Sequence, residues 1–592
     1  MMRRLLSSNA PTRMTLAALA MATVLAQPVQ AETAAQASEP LGLGTLDGLP
    51  ITLSGSYLAG RLAGQTNDLA NAAAFFAEAL DEDPGNPFLL DRTFVLKLAN
   101  GDLDEALEYA RRLKQEQPDH FLANLALGAE ALKLGEPARA AELLSGPGRG
   151  PLADLTRGLA AAWAKEAEGE TDAALDILSR LKGPDWYTVF VTYHSGLIQD
   201  HAGRREAAIQ GFADAFAADQ GALRVTDAYA RALAAGGQPA EALKILAEYD
   251  KILPDHPVLS ATRKLIESGE PIGPITASPV TGAAEVLYGL GAAIGRDGGE
   301  ELAAVYLQLA LDLDPRADVA AVALAGLFDR LGKFERSIAT LGKIDPASPL
   351  KRDAEIQIGL NYNALDNLEQ SRLHLQALVD EDPSDLEAVI ALGNVLRARK
   401  LFPDCEAAYS AGIDTLSEPE EKDWTIFYYR GICRERQKKW GPAEADLRKA
   451  LELFPEQPLT LNYLGYSLVD QGLKLPEALD MIRKAVELRP RDGYIVDSLG
   501  WAYYRLGRYE EATEQLERAV ELRPEDPVIN DHLGDAYWKV GRTIEARFQW
   551  NHARDLGPEP DELPKILKKI ENGLRETPEM PAAQAGSDKN GG

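Results

Sequence analysis

The stretch Asp497–Pro527, DSLGWAYYRLGRYEEATEQLERAVELRPEDP, decides the architecture. Apolar residues recur at three- and four-residue intervals on both sides of Gly507, describing two amphipathic helices joined by a turn that glycine closes with a positive φ. Gly500 and Ala512 are small enough to let the two helices approach closely, and Pro524 cannot continue the second one. The acidic residues after Pro524 stand where another helix begins and favour its positive end. The pattern then restarts. Leu533, Gly534, Tyr537, Gly541, Ala546, Trp550, Ala553 and Pro558 follow Leu499, Gly500, Tyr503, Gly507, Ala512, Leu516, Ala519 and Pro524 at a constant spacing of 34 residues, and Ala478, Ala485 and Pro490 lie one period earlier.

A fixed period of this length marks a repeat array. The residues resemble the tetratricopeptide repeat, whose Leu-Gly-x-x-Tyr, Ala-x-x-x-Phe and Pro positions recur here. Gly465 (after one inserted residue), Gly431 with Ala443, Ala450 and Pro455, Gly393, Gly359 with Pro383, and Gly291 with Ala303, Ala310 and Pro315 carry the pattern backwards, and weaker units run from Gly60 to Pro254. The resemblance implies an all-α, right-handed α-solenoid of about 14 stacked helix-turn-helix units in two sub-arrays. The expected organisation is a signal peptide at 1–31, a linker at 32–52, a degenerate N-terminal array at 53–256, a Gly/Pro/Ser/Thr-bearing loop at 257–283, a C-terminal array at 284–560, a capping helix at 561–576 and a disordered tail at 577–592.

The first residues read as an address. Arg3, Arg4 and Arg13 precede and flank an uncharged run, Met14 to Ala26, and Val29-Gln30-Ala31 is a small-residue cleavage pattern. The run is shorter than the roughly 18–20 residues that span a bilayer, so export with cleavage after Ala31 is expected and a retained membrane span is not. The expected location is the bacterial periplasm.

Composition narrows the partners. Of 592 residues 45% are hydrophobic, as in a folded soluble protein, and the net charge of −29 opposes a phosphate backbone or an anionic membrane surface. Two cysteines cannot build a disulfide framework or a cysteine-rich metal centre. Cys405 and Cys433 fall on helices of adjacent repeats and suit either burial as small apolar residues or a bridge, which requires Cα atoms within about 7 Å.

Catalytic chemistry is not legible. The seven histidines are scattered; His194 and His201 stand about two turns apart on one helix and read as surface or packed residues rather than metal ligands. Gly289, Gly291 and Gly295 have the wrong spacing for a dinucleotide loop, and Ser179-x-x-Lys182 lacks the companion motifs of a penicillin-binding enzyme. The chain is expected to be a non-enzymatic scaffold or adaptor without cofactor or metal.

In proteins that this chain resembles, the first helix of each hairpin lines a concave surface that holds a peptide. The inward positions of the last four units are Tyr428, Tyr466, Trp501, Tyr504 and Trp538, accompanied by Asn462, Asp497, Asp531 and Asp535. Rigid aromatics with a polar tip bury large area at low entropic cost, and the carboxylates favour a ligand with basic residues. Leu499, Gly500, Tyr503, Ala512, Pro524, Gly534, Tyr537, Ala546, Pro558 and Gly465 belong instead to the repeat core. The closing repeats, NYLGYSLVDQG (462–472) among them, are similar to bacterial envelope adaptors that assemble a carboxyl-terminal processing protease with its substrates. Those adaptors are lipoproteins, and no Cys stands near the expected cleavage site here. A part of an outer-membrane, pilus or polysaccharide export machine is the alternative; the partner and oligomeric state stay open.

Overall fold

A computed structural model of the chain describes residues 52–146 and 150–574. The expected signal peptide, the linker as far as residue 51 and the expected tail at 577–592 lie outside the described residues. Regular structure among the described residues comprises thirty α-helices and one short 3-10 turn, with no strand. In sequence order 28 of the helices form 14 helix-turn-helix units; Pro257–Ser268 and Leu563–Asn572 stand outside that pairing.

Local chemistry accounts for the hairpins. The first helices of three late units start at side-chain caps: Gln457 accepts from the Leu459 and Thr460 amides, Asp492 from Tyr494, and Asp526 from Val528 and Ile529. Such a cap contributes about 1 kcal/mol. Pro458 and Pro527 add a preset φ at the first helical position. The turns close through Gly507 and Gly541, with φ of 75° and 82°. Gly534 sits so close to Trp550 that a Cβ would enter the indole ring.

First helices of successive repeats touch one another, as Pro458–Asp470 touches Gly493–Arg505 and Gly493–Arg505 touches Pro527–Lys539. Successive second helices do not pack comparably. Each such stack therefore bends towards its first helices, whose free side is the inner face.

The described residues divide into two compact units at Ser371/Arg372. This differs from the expected division at 257–283. That segment holds the helix Pro257–Ser268 and the start of Pro279–Arg296, which leaves Gly269–Ser278 as the connection. The capping box between Ser278 and Thr281 starts the second of these helices, and both flanks lie in the first unit.

Within the first unit the hairpin 279–313 does more than extend the stack. Pro279–Arg296 packs on Phe121–Lys133, Pro151–Ala167 and Tyr187–His201, and Glu300–Leu313 packs on Pro87–Asn100 and Phe121–Lys133, all of them first helices. The contacts are specific: Tyr306 Oη bonds Thr156 Oγ1 at 2.9 Å, Arg92 grips Glu301 through two bonds of 2.6 Å, and Arg224 pairs with Glu285 at 2.8 and 2.9 Å. Ala303 to Leu307 are buried at five consecutive positions, so this helix is covered on all sides. The inner face of the N-terminal repeats is thus filled by the chain's own hairpin.

In the second unit Cys405 on Phe402–Ile413 and Cys433 on Trp424–Arg436 are joined in a disulfide, with Cα atoms 6.2 Å apart. The bond ties a second helix to the next first helix. The helix Leu563–Asn572, within the segment expected to cap the array, buries Ile566 against Thr543–Asp555. No helix among the described residues is long and apolar enough to cross a membrane.

Candidate functional site on the inner face of the C-terminal repeats

Four helices of the second unit carry the expected site residues, Trp424–Arg436, Pro458–Asp470, Gly493–Arg505 and Pro527–Lys539, and the terminal helix Leu563–Asn572 adds Lys569, which was not expected at the site. Three of the nine side chains are buried rather than presented. Tyr428 is 8% exposed, enclosed by Tyr429, Tyr463 and Trp424 with ring centroids 5.1 to 6.0 Å away, and burial drives its hydroxyl pKa well above the ordinary value. Asp497 and Asp535 are buried as well.

The carboxylates are already engaged, which corrects the expectation that they await a basic ligand. His532 Nδ1 lies 3.0 and 3.1 Å from the two oxygens of Asp497. Lys569 donates to Asp531 at 2.7 Å and to Asp535 at 2.8 Å, and Trp550 Nε1 donates to Asp535 at 2.9 Å. Burial pulls the His532 pKa down, but Asp497 with Asp531 and Asp535 outweighs it, leaving the imidazole above its usual value. Burial pushes Asp535 up to about 6; the Lys569 ammonium opposes this and the neighbouring Asp531 adds to it.

The remaining residues are half-buried along the inner face: Asn462, Tyr466, Trp501, Tyr504 and Trp538, with Asp531 beside them. Trp501 is sandwiched, its ring 4.1 Å from His532 at 16° and 4.9 Å from Tyr504 at 10°. Trp538 leans on Trp550 at 5.4 Å, and Gly573 leaves room for its ring. Burial, with Asp497 and Asp470 nearby, raises Tyr466 above the ordinary tyrosine range; burial with Asp535 nearby does the same for Tyr504. Asn462 Oδ1, Trp501 Nε1 and Asp531 Oδ1 are buried without a hydrogen-bond partner. These rings supply flat apolar area with polar edges.

The sequence reading missed His532 and Lys569. The register holds a signal for both: His532 lies 35 residues after Asp497 and Lys569 lies 34 after Asp535, at the same level of the following helix. Tyr503 and Tyr537 sit in the repeat core, buried, with Tyr537 Oη donating to Glu517 at 2.8 Å.

Other motifs resolve into packing. His194 Nδ1 accepts from Trp163 Nε1 at 3.1 Å, and its pKa falls to about 4 through burial; His201 bonds Glu166 at 2.6 Å. Gly289, Gly291 and Gly295 lie inside the helix Pro279–Arg296, and Ser179 Oγ bonds the Asp176 carbonyl on its own helix. Among the described residues no group of His, Cys, Asp and Glu is arranged to hold a metal.

Comparison with known proteins agrees with the repeat. The chain carries tetratricopeptide repeats: a TPR repeat model matches residues 500–541, and a tetratricopeptide repeat model matches 45–87 and 94–146. It is similar to a TPR repeat-containing protein of Pseudomonas aeruginosa, 36% identical over 103 residues that make up 17% of each chain. It is also similar to BBSome complex member BBS4 of Bos taurus, 32% identical over 117 residues, 19% of this chain and 22% of that one. The type IV pilus assembly protein PilF of P. aeruginosa is 26% identical over 170 residues, 28% of this chain and 65% of that protein. The matches thus span about a fifth of the first two relatives, and the likeness follows the repeat across bacteria and mammals.

Proposed function

We propose that this chain is a non-enzymatic scaffold that captures protein or peptide partners on the inner face of its C-terminal repeats and works in the periplasm, in envelope protein assembly or quality control. One contrast carries the reading: the inner face of the N-terminal repeats is filled by the hairpin 279–313, whereas Asn462, Tyr466, Trp501, Tyr504 and Trp538 remain half-buried on the inner face of the C-terminal repeats. A ligand laid there gains aromatic contact area and completes hydrogen bonds at the polar edges. The Cys405–Cys433 disulfide supports an oxidising compartment.

The likeness to PilF favours, as a second reading, a role in a pilus or related outer-membrane or polysaccharide export machine. Adaptor duty for a carboxyl-terminal processing protease is the narrower version of the first, and rests on the resemblance of the closing repeats.

The test is affinity capture from envelope extract with wild type and a Tyr466→Ala/Trp538→Ala variant. Loss of a wild-type partner with helical circular dichroism retained supports the inner face as the site. Equal recovery by both proteins contradicts it.

A further inference from the structure

The first repeat of the first unit and the last repeat of the second close differently. Register is fixed by glycines of the first helices, each lying against the side chain sixteen residues later: Gly60 against Phe76, Gly196 against Phe212, Gly431 against Leu447, Gly500 against Leu516 and Gly534 against Trp550. The residues two before and two after such a glycine face the preceding repeat. Around Gly431 they are Tyr429, which stacks on Tyr409 at 6.0 Å, and Cys433, which is bonded to Cys405; both partners sit on the second helix of the repeat before. Elsewhere the same positions hold His194 and Ile198, Ser498 and Ala502, and His532 and Ala536, all buried.

In the first repeat these positions are Leu58 and Leu62 on the helix Leu53–Gln65, 64% and 60% exposed, and no described residue before Thr52 covers them. The last repeat is closed by contrast: Leu563–Asn572 buries Ile566 against Thr543–Asp555 and leaves Lys565, Lys568 and Glu571 exposed. Terminal repeats need such a polar outer face.

Residues 41–51, LGLGTLDGLPI, stand immediately before the uncovered helix and lie outside the described residues. They carry Leu41, Leu43, Leu46, Leu49 and Ile51 against a single charge, Asp47, whereas residues 32–40, ETAAQASEP, carry no large apolar side chain. That density of leucine is unlike a solvated linker. The distance is short: at 1.5 Å per helical residue Leu58 and Leu62 stand about 9 and 15 Å from Thr52, a return of about five extended residues. Thr52 itself is extended, with φ −122° and ψ 146°, and Gly48 tolerates a reversal.

We propose that residues 41–51 fold back over Leu58 and Leu62 and close the first repeat, in the place that a preceding repeat holds elsewhere. The segment expected from the sequence to be a linker is then a cap, and this does not depend on the C-terminal inner face.

The test places a benzophenone side chain at Leu62 of the purified full chain and maps the photo-adduct by gel mobility and tandem mass spectrometry. An adduct to residues 41–51 of the same chain is expected. An adduct joining two copies, or one confined to residues 53–61, would overturn the proposal. Amide exchange gives a second measurement. Leu46→Asp/Leu49→Asp, which alters no described residue, should speed exchange over Leu53–Gln65 by at least about ten-fold, the effect of uncovering one leucine, and Ala35→Asp should leave it unchanged. Unchanged exchange in the leucine variant, or equal acceleration by Ala35→Asp, would overturn it as well.

Discussion

The His532 imidazole lies flat on the Trp501 indole, their centroids 4.1 Å apart and their planes within 16°. The same imidazole bonds Asp497, so one side chain both orders an inner-face aromatic and satisfies a buried carboxylate on the neighbouring helix. His532→Ala removes both at once. It should cost about 3–5 kcal/mol, because an unpaired buried carboxylate remains. Chemical denaturation followed by tryptophan fluorescence measures the loss.

Protonation acts on the same cluster. Asp535 has a folded pKa of about 6, above that of the unfolded chain, so the folded state takes up a proton more readily and stability falls as pH rises from about 4 to 6. His532, also raised, contributes stability that is complete below its unfolded value and is lost as pH rises through its folded one. Both signs agree: the last repeats should be more protected at pH 5.5 than at pH 8. Hydrogen exchange over Pro527–Lys539 reads this directly, and Asp535→Asn should reduce the difference by an amount on the order of 1 kcal/mol.

The disulfide links residues 28 apart and closes a loop whose entropy it removes from the unfolded chain. Cys433→Ala should therefore destabilise the second unit by about 3–4 kcal/mol, and a non-reducing digest of wild type should yield the linked peptide pair. A thiol-labelling experiment that modifies both cysteines in the folded, oxidised protein would count against the bond.

Tyr306 anchors the hairpin that fills the N-terminal inner face. It is fully buried and its hydroxyl bonds Thr156 at 2.9 Å. Tyr306→Phe should cost about 1 kcal/mol, the net worth of one hydrogen bond, and Tyr306→Ala about 3–5 kcal/mol, the cost of an aromatic cavity. Urea titration separates the two values.

The local hairpin is readable because it depends on residue size at fixed positions: only glycine fits beside Trp550 at 534, and only a left-handed residue closes the turn at 507. What the repeat pattern does not encode is which surface of a stacked hairpin meets residues far along the chain. Pro279–Arg296 and Glu300–Leu313 match the period, yet they pack on first helices of repeats far earlier in the chain, Pro87–Asn100 and Phe121–Lys133 among them. A clue was present in Ala303 to Leu307, where no polar side is left for solvent. Tyr428 reads as an inner-face aromatic by register, but Tyr463 on the first helix of the following repeat closes over it. Asp531 and Asp535 read as free acids because their partner, Lys569, lies beyond the last complete repeat.

The central claim is that partners engage the inner face of the C-terminal repeats. Site-specific photo-crosslinking tests it most directly, with a benzophenone side chain placed at Tyr466 on the inner face and, in a second protein, at the exposed Glu514 on a second helix. In cells that make the partner, the account predicts a crosslinked adduct from position 466 and none from position 514. An adduct from 514 alone would contradict it.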